Sequence, residues 1–86
     1  MVAVLSVDTE QVRQMILTDG IHLVSDSSLE ELHAFAQNMG LKRHWFQVHR
    51  NHPHYDLTTN SALTRALARG AYNVSSKELI RRMVRR

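Results

Sequence analysis

The fold of this chain is decided by the stretch IHLVSDSSLEELHAFAQNMG, residues 21–40. Residues 21–24 are mostly apolar and include two β-branched side chains, which predicts a short buried strand. Ser27 and Glu30 then have the spacing of a capping box, which predicts the start of a helix. Gly40 is placed to end that helix as the residue after its C-cap. A strand followed directly by a helix predicts a layered structure of sheet and helices.

The same alternation extends from this stretch in both directions. Before it, residues 2–7 predict a strand and residues 8–19 predict a short helix. After it, residues 54–57 and 71–74 predict strands, each followed by a capped helix. We therefore predict a single domain over residues 1–86, of the α/β or α+β class, in which about four helices pack on a mixed sheet of short strands.

Composition limits the classes of protein that this chain can represent. It has 86 residues and no cysteine, which excludes a disulfide scaffold, a thiolate zinc finger and a thiol nucleophile. Any metal site must therefore use His, Asp or Glu. No basic n-region opens the sequence, and no apolar run approaches the roughly 20 residues that span a bilayer. We expect a soluble cytoplasmic protein with no membrane segment, and its small core makes it a candidate homodimer.

Charge is distributed unevenly along the chain. Residues 42–86 hold ten Lys and Arg residues against two acids, Asp56 and Glu78. Such a skew is typical of a surface for phosphate, nucleic acid or an acidic partner, and the alternative is a solvated face. For nucleic acid, the candidate residues are Lys42, Arg43, Arg50, Arg65 and Arg69. Trp45 and Phe46 could stack on an unpaired base, although in a small protein such pairs are more often core or dimer-interface residues.

A cluster of histidines marks the predicted site. Three of the six histidines fall in HRNHPHYD, residues 49–56. In an extended segment alternate side chains share a face, so His52, His54 and Asp56 should point together. Tyr55 should point to the other face. The cluster therefore predicts where a ligand or a reaction is sited.

Several segments also resemble a known family. These segments are His22–Asp26, Leu29–Ala36, Arg43–Gln47, His54–Leu57, Arg65–Ala68, Gly70–Ala71 and Val74–Ser75. On them the chain resembles the bacterial and phage family called "domain of unknown function 4031". The resemblance implies a bacterial or phage origin and residues that belong together. It implies no reaction.

We predict that six residues form one ligand pocket. They are His22, Asp26, His33, His54, Tyr55 and Asp56. His22 and Asp26 flank the end of a predicted strand, where ligands of open α/β sheets bind. If the two strands are neighbours, His22, His54 and Asp56 form a two-His-one-carboxylate set that suits Zn²⁺, Mn²⁺ or Ni²⁺ as a cofactor. The metal would activate a water or polarise a phosphate.

The same residues also support a site without a metal. In that site His33 or His54 is the general acid or base, oriented by a neighbouring aspartate, and Tyr55 donates a hydrogen bond. The catalytic candidates are then His33, His54, Tyr55 and Asp56. His49 and His52 are weaker candidates, because a loop at this position would expose them.

We expect a protein that binds a phosphate-bearing or metal-associated ligand, with hydrolytic chemistry as an extension. The sequence lacks a Gly-rich phosphate loop and a Gly-x-Ser-x-Gly elbow, which disfavours familiar nucleotide and serine hydrolases. Two alternatives stay open. One is a basic nucleic-acid-binding protein, and the other is an interaction protein that binds a host factor or sequesters a nucleotide signal. Histidines that converge in a concave pocket with basic side chains at its rim would favour the first expectation, whereas a broad convex basic strip would favour nucleic acid.

Overall fold

The computed structural model describes residues 15–84 of the chain. This part contains five strands and three α-helices. In chain order they are β1 (Ile16–Thr18), β2 (His22–Ser25), α1 (Leu29–Asn38), β3 (Gln47–His49), β4 (His52–Asp56), α2 (Asn60–Ala68), β5 (Tyr72–Asn73) and α3 (Ser76–Arg82). A turn of 3-10 helix, Arg43–Trp45, precedes β3. None of the helices in this part is long and apolar enough to cross a lipid bilayer.

The five strands form one mixed sheet in the order β3-β4-β2-β1-β5. The pairs β3–β4, β4–β2 and β2–β1 are antiparallel. The pair β1–β5 is parallel. The prediction of a mixed sheet of short strands with helices packed on it is therefore confirmed.

Helices cover both faces of this sheet. On the first, which we name the α1–α2 face, Leu23 and Tyr55 pack against apolar residues of α1 and α2. On the second, the α3 face, Leu17 and Val24 pack against Leu79 of α3. Successive residues of a strand point to opposite faces, so each inner strand contributes to both layers of core.

Side chains cap the N-termini of all three helices. The Ser28 hydroxyl accepts a hydrogen bond from the Glu31 amide at 3.1 Å. The N-cap of α1 is therefore Ser28, one residue later than predicted, and the reciprocal half of a capping box is replaced, because the Glu31 carboxylate accepts from the Ser25 and Ser27 hydroxyls. Thr59 caps α2 and Ser75 caps α3, which confirms the prediction that a capped helix follows each of these strands.

The predicted helix over residues 8–19 is wrong where the structure describes it. Residues 16–18 form β1, and all three are buried. Apolar residues from Met15 onward fit a helical stripe, but β1 is an inner strand covered on both faces, which also requires consecutive apolar residues. The earlier part of that helix and the predicted strand over residues 2–7 lie outside the described residues. Residues 15–84 thus hold three α-helices rather than about four.

A tight hairpin joins β3 and β4. Its two turn residues, Arg50 and Asn51, have φ angles of 55° and 65°, and positive φ at both positions is what a type I′ turn requires. The register pairs His49 with His52. The sequence predicts a strand only from residue 54, whereas pairing with β3 extends β4 back to His52.

Candidate metal centre

Strands β2 and β4 bring three of the predicted site residues together on the α3 face. His54 and Asp56 are two residues apart in β4 and share this face, while Tyr55 between them packs in the core on the other side. The register pairs His22 of β2 directly with Asp56. His22 therefore lies beside both β4 residues.

The ligand atoms of these three residues are close together. One imidazole nitrogen each from His22 and His54 and one carboxylate oxygen from Asp56 all lie within 4.8 Å of one another. The His54 Nε2 atom is 3.3 Å from Asp56 Oδ1. Metal bonds of about 2.0 to 2.2 Å hold their ligand atoms within about 4.4 Å of one another. Side-chain shifts of a few tenths of an ångström would therefore close the set around one ion.

Each of the three side chains is oriented by a second contact. His22 Nδ1 lies 3.0 Å from an oxygen of Asp19, and His54 Nδ1 lies 2.7 Å from the carbonyl oxygen of His52. Carboxylate and carbonyl oxygens can only accept hydrogen bonds, so Nδ1 of each ring donates its proton and Nε2 is left as the ligand atom. Gln47 Nε2 donates to Asp56 Oδ2 at 2.7 Å, which leaves Oδ1 facing the centre.

Asp19 anchors the His22 imidazole. Its side chain is 2% exposed and also accepts a hydrogen bond from the Ser76 hydroxyl at 2.7 Å. The backbone amides of Ile21 and His22 donate to its other oxygen. Burial alone would raise the pKa of this carboxyl, but these hydrogen bonds together hold the pKa well below its ordinary value of 3.8. Asp19 is therefore an ionised carboxylate that fixes His22 from outside the centre.

Acid should weaken the fold through Asp19. A carboxyl whose pKa is lowered by folding contributes stability above its ordinary pKa and loses that contribution as pH falls below it. In metal-free protein, the difference in unfolding free energy between wild type and Asp19→Asn should be largest near about pH 6 and should begin to shrink below about pH 4. Urea unfolding at each pH, followed by circular dichroism, measures this difference. A constant difference down to about pH 3 would contradict the assignment.

The close approach of His54 Nε2 to the Asp56 carboxylate requires a positive charge between the two groups. Because the Nδ1 proton of His54 is donated to a carbonyl, Nε2 of the neutral ring presents a lone pair to the Asp56 carboxylate. Two lone pairs at this separation repel unless a proton or a metal ion lies between them. Two imidazoles and one carboxylate with open positions are a ligand set that binds Zn²⁺ and other first-row metals.

A pocket of about 120 Å³ opens beside the centre, between the sheet and α3. Its lining includes His49 and His52 as well as His22 and His54. The sequence predicts that a loop exposes His49 and His52. His49 is exposed and His52 is half-buried, but both lie in paired strands rather than in a loop, and both line the pocket. Asn51, which tolerates positive φ, is the sequence signal for a tight turn that could have predicted this placement.

Two positioning residues are also missing from the predicted site. In the sequence Asp19 is interpreted as part of the signal that ends a helix. An aspartate three residues before a histidine can, however, reach back in a turn and contact the imidazole ring, as Asp19 does with His22. Gln47 has no local signal at all, because its contact with Asp56 depends on the pairing of β3 with β4.

The family model whose description reads "Protein of unknown function (DUF4031)" matches residues 5–86. The chain belongs to the DUF4031 family. The match spans essentially the whole chain and confirms the resemblance noted in the sequence. Comparison with curated proteins and with solved structures gave no significant match. What this DUF4031 protein does is therefore inferred from its own geometry.

Two predicted site residues of the DUF4031 chain lie on the opposite face of the sheet. His33 Nδ1 is 2.8 Å from the Tyr55 hydroxyl, and Phe46 packs edge-on against the His33 ring. Tyr55 is 1% exposed, and this burial raises the pKa of its hydroxyl, although the charge of Arg43 opposes the shift. The sheet separates this pair from His22. The six predicted residues therefore do not share one pocket, because neighbouring residues of β4 face opposite ways.

Asp26 is also separate from the ligand set of the DUF4031 protein. Its Oδ1 atom accepts a hydrogen bond from the Met15 amide at 2.9 Å. Its Oδ2 atom lies 3.5 Å from the guanidinium of Arg82. These contacts tie the residue before β1 and the end of α3 to the turn after β2, which is a structural role.

The five candidate nucleic-acid contacts of the DUF4031 chain lie on different elements. Lys42 and Arg43 are at the 3-10 turn, Arg50 is in the hairpin turn, and Arg69 is the C-cap of α2. All four are exposed. Arg65 is exposed as well, but its guanidinium donates to the backbone carbonyl of Met39 at the end of α1 and to the Ser61 hydroxyl.

Proposed function

We propose that the protein binds one divalent metal ion through His22 Nε2, His54 Nε2 and Asp56 Oδ1, and through that ion a phosphate-bearing ligand. The observation that supports this most directly is the orientation of all three side chains. Each uses its second polar atom in a contact with a protein group and turns its remaining ligand atom to the same point. Protein metal sites orient their ligands in this way, and the outer partners make the imidazoles more basic.

The donor set narrows the choice of ion. Two imidazoles and a carboxylate suit Zn²⁺, and they also suit Mn²⁺ or Ni²⁺. Three protein ligands leave at least one position for water or a ligand oxygen. A metal in such an open site lowers the pKa of bound water and polarises a phosphoryl oxygen. Hydrolysis of a phosphate ester is the reaction that this chemistry supports.

The surroundings of the centre favour an anionic ligand. None of the described residues that line the adjacent pocket is acidic, and His49 and His52 are among them. Imidazole N–H groups donate hydrogen bonds to phosphate oxygens. The pocket volume of about 120 Å³ equals roughly four water molecules of the liquid, which is room for one phosphoryl group.

Elemental analysis and thermal melts of the untagged protein test this proposal. A metal ion at about 100 times its Kd that binds only the native state adds about 2.7 kcal/mol to the free energy of unfolding. For a domain of this size, that should raise the Tm by about 10 °C or more. We expect this rise with Zn²⁺ and its reversal by EDTA.

Inorganic phosphate and a matched variant complete the test. Phosphate should raise the Tm further only when the metal is present, because the ion holds the anion. His44→Ala, which alters an exposed histidine outside the three-residue set, should respond to metal like the wild type. The proposal fails if elemental analysis finds no bound metal and Zn²⁺, Mn²⁺ and Ni²⁺ all leave the Tm unchanged.

A further inference from the structure

A second pocket is lined in part by Asp56, a residue of the proposed metal centre. Its lining consists of Leu41, His44, Trp45, Gln47, Asp56 and Thr58. Its volume is about 500 Å³, which falls in the range of about 300 to 1,000 Å³ that is usual for small-molecule sites. The pocket near the metal centre therefore has a larger neighbour of ligand size.

Trp45 gives this second pocket an aromatic wall. The residue is 44% exposed, whereas the adjacent Phe46 is the one that packs against the core. The expectation that one or both aromatics are core or interface residues is met within the chain by Phe46. An indole face open to a pocket is a surface on which a planar ring can stack.

The remaining walls offer groups that pair with the edge of a heterocyclic ring. The Gln47 amide donates to Asp56, and within residues 15–84 its carbonyl oxygen accepts no hydrogen bond. The Thr58 hydroxyl and the His44 ring nitrogens likewise have no hydrogen bond within that part of the chain. Amide, hydroxyl and imidazole groups of this kind supply both donors and acceptors.

Asp56 belongs to the metal centre and also lines the second pocket. Its Oδ1 atom faces His54 and the metal centre, while its Oδ2 atom accepts the hydrogen bond from Gln47, which lines the Trp45 side. A ligand with a phosphate at one end and a planar ring at the other can therefore occupy both sides of this one carboxylate.

We propose that the ligand is a nucleoside monophosphate, whose base stacks on Trp45 and whose phosphate binds at the His22, His54 and Asp56 centre. The phosphate end of this assignment rests on the proposed function, whereas the base end rests on the Trp45 pocket alone. Nucleotides are the ligand class that combines a planar heterocycle with a phosphate across a short sugar.

Fluorescence provides a direct readout, because Trp45 is the only tryptophan of the chain. In the Zn²⁺-loaded protein, AMP should quench the emission with a saturating curve. Adenosine should quench with weaker affinity, because it lacks the phosphate. Ribose 5-phosphate should leave the emission unchanged and should compete with AMP.

Calorimetry on variants supplies the second measurement. Trp45→Ala should weaken AMP binding by about 10-fold or more, the usual effect of removing an aromatic that stacks on a base. Tyr72→Ala is the matched control, since Tyr72 is an exposed aromatic on β5, and it should bind AMP like the wild type. Ribose 5-phosphate should bind the wild type and Trp45→Ala equally.

The outcomes separate this inference from the proposed function. If the protein binds Zn²⁺ and phosphate, but AMP leaves the fluorescence unchanged and binds Trp45→Ala as tightly as the wild type, the base site is overturned and the metal centre stands. If AMP quenches Trp45 although no metal binds, the base site is supported and the metal centre fails. Equal affinity for AMP and ribose 5-phosphate would also overturn the base site.

Discussion

Replacing His54 with alanine should lower the affinity for Zn²⁺ by about 100-fold or more while the fold is retained. Loss of an outer partner alone costs about 10- to 100-fold in metal affinity, and this change removes a ligand. The His54 side chain is 13% exposed and lies at the edge of a pocket, so the free energy of unfolding should fall by only about 1 to 2 kcal/mol. Calorimetric titration with Zn²⁺ measures the affinity, and urea unfolding in EDTA measures the stability.

His44→Ala is the control for this prediction, because it removes an imidazole that lies outside the ligand set. It should bind Zn²⁺ like the wild type. Equal Zn²⁺ affinity in the His54 and His44 variants would place the ion elsewhere and refute the centre. Asp56→Ala, at a more exposed side chain, answers the same question if the His54 variant does not fold.

Replacing Asp19 with alanine should harm both the fold and the metal centre. The carboxylate is almost fully buried and accepts hydrogen bonds from two backbone amides, the Ser76 hydroxyl and the His22 ring. Removing it leaves these donors unpaired, so we expect a loss of about 2 to 4 kcal/mol in the free energy of unfolding. The His22 ring also loses its orienting partner, which should cost about 10- to 100-fold in Zn²⁺ affinity.

Asp19→Asn separates these two effects. The asparagine oxygen can still accept from the amides of Ile21 and His22, which keeps most of the turn. Its NH₂ group, however, faces His22 Nδ1 and must donate to it, so the imidazole proton moves to Nε2, the metal-facing atom. We therefore expect a smaller loss of stability than in Asp19→Ala, together with a comparable loss of Zn²⁺ affinity.

Asp26→Asn provides the matched control for Asp19. Asp26 also accepts a hydrogen bond from a backbone amide, but it does not contact His22. The Asp26→Asn variant should have a lower free energy of unfolding and an unchanged affinity for Zn²⁺. If both aspartate variants bind Zn²⁺ as tightly as the wild type, His22 is not oriented by Asp19 in the way that we propose.

Local signals in the sequence predict a large part of this fold. The apolar stripe of α1, its end before Gly40 and the caps of α2 and α3 all depend on residues close together in the chain, and the structure agrees within one residue. The alternation in β4 is also local, and it correctly predicts that His54 and Asp56 share a face that Tyr55 does not.

The errors arise where pairing over long distances decides the structure. Residues 15–18 carry an apolar pattern that suits either a helix or an inner strand, and only their place between β2 and β5 makes them β1. The prediction that His33 and Tyr55 belong to the same pocket as His22 is wrong for a related reason. The sequence does not say which face of the sheet α1 covers. The contacts of Asp19 and Gln47 depend on the same unseen pairings.

The placement of Tyr55 between two ligand residues has a consequence for how this site can change. A shift of β4 by one residue against β2 would move the tyrosine to the α3 face and the histidine and aspartate into the core of the α1–α2 face. The buried ring and its contact with His33 oppose that slip. Positions 54 and 56 are thus free to exchange one donor atom for another without touching the hydrophobic layer that keeps the strand in place. Single substitutions at these two positions could therefore change the metal preference, because alternate residues of β4 serve the metal centre and the hydrophobic core separately.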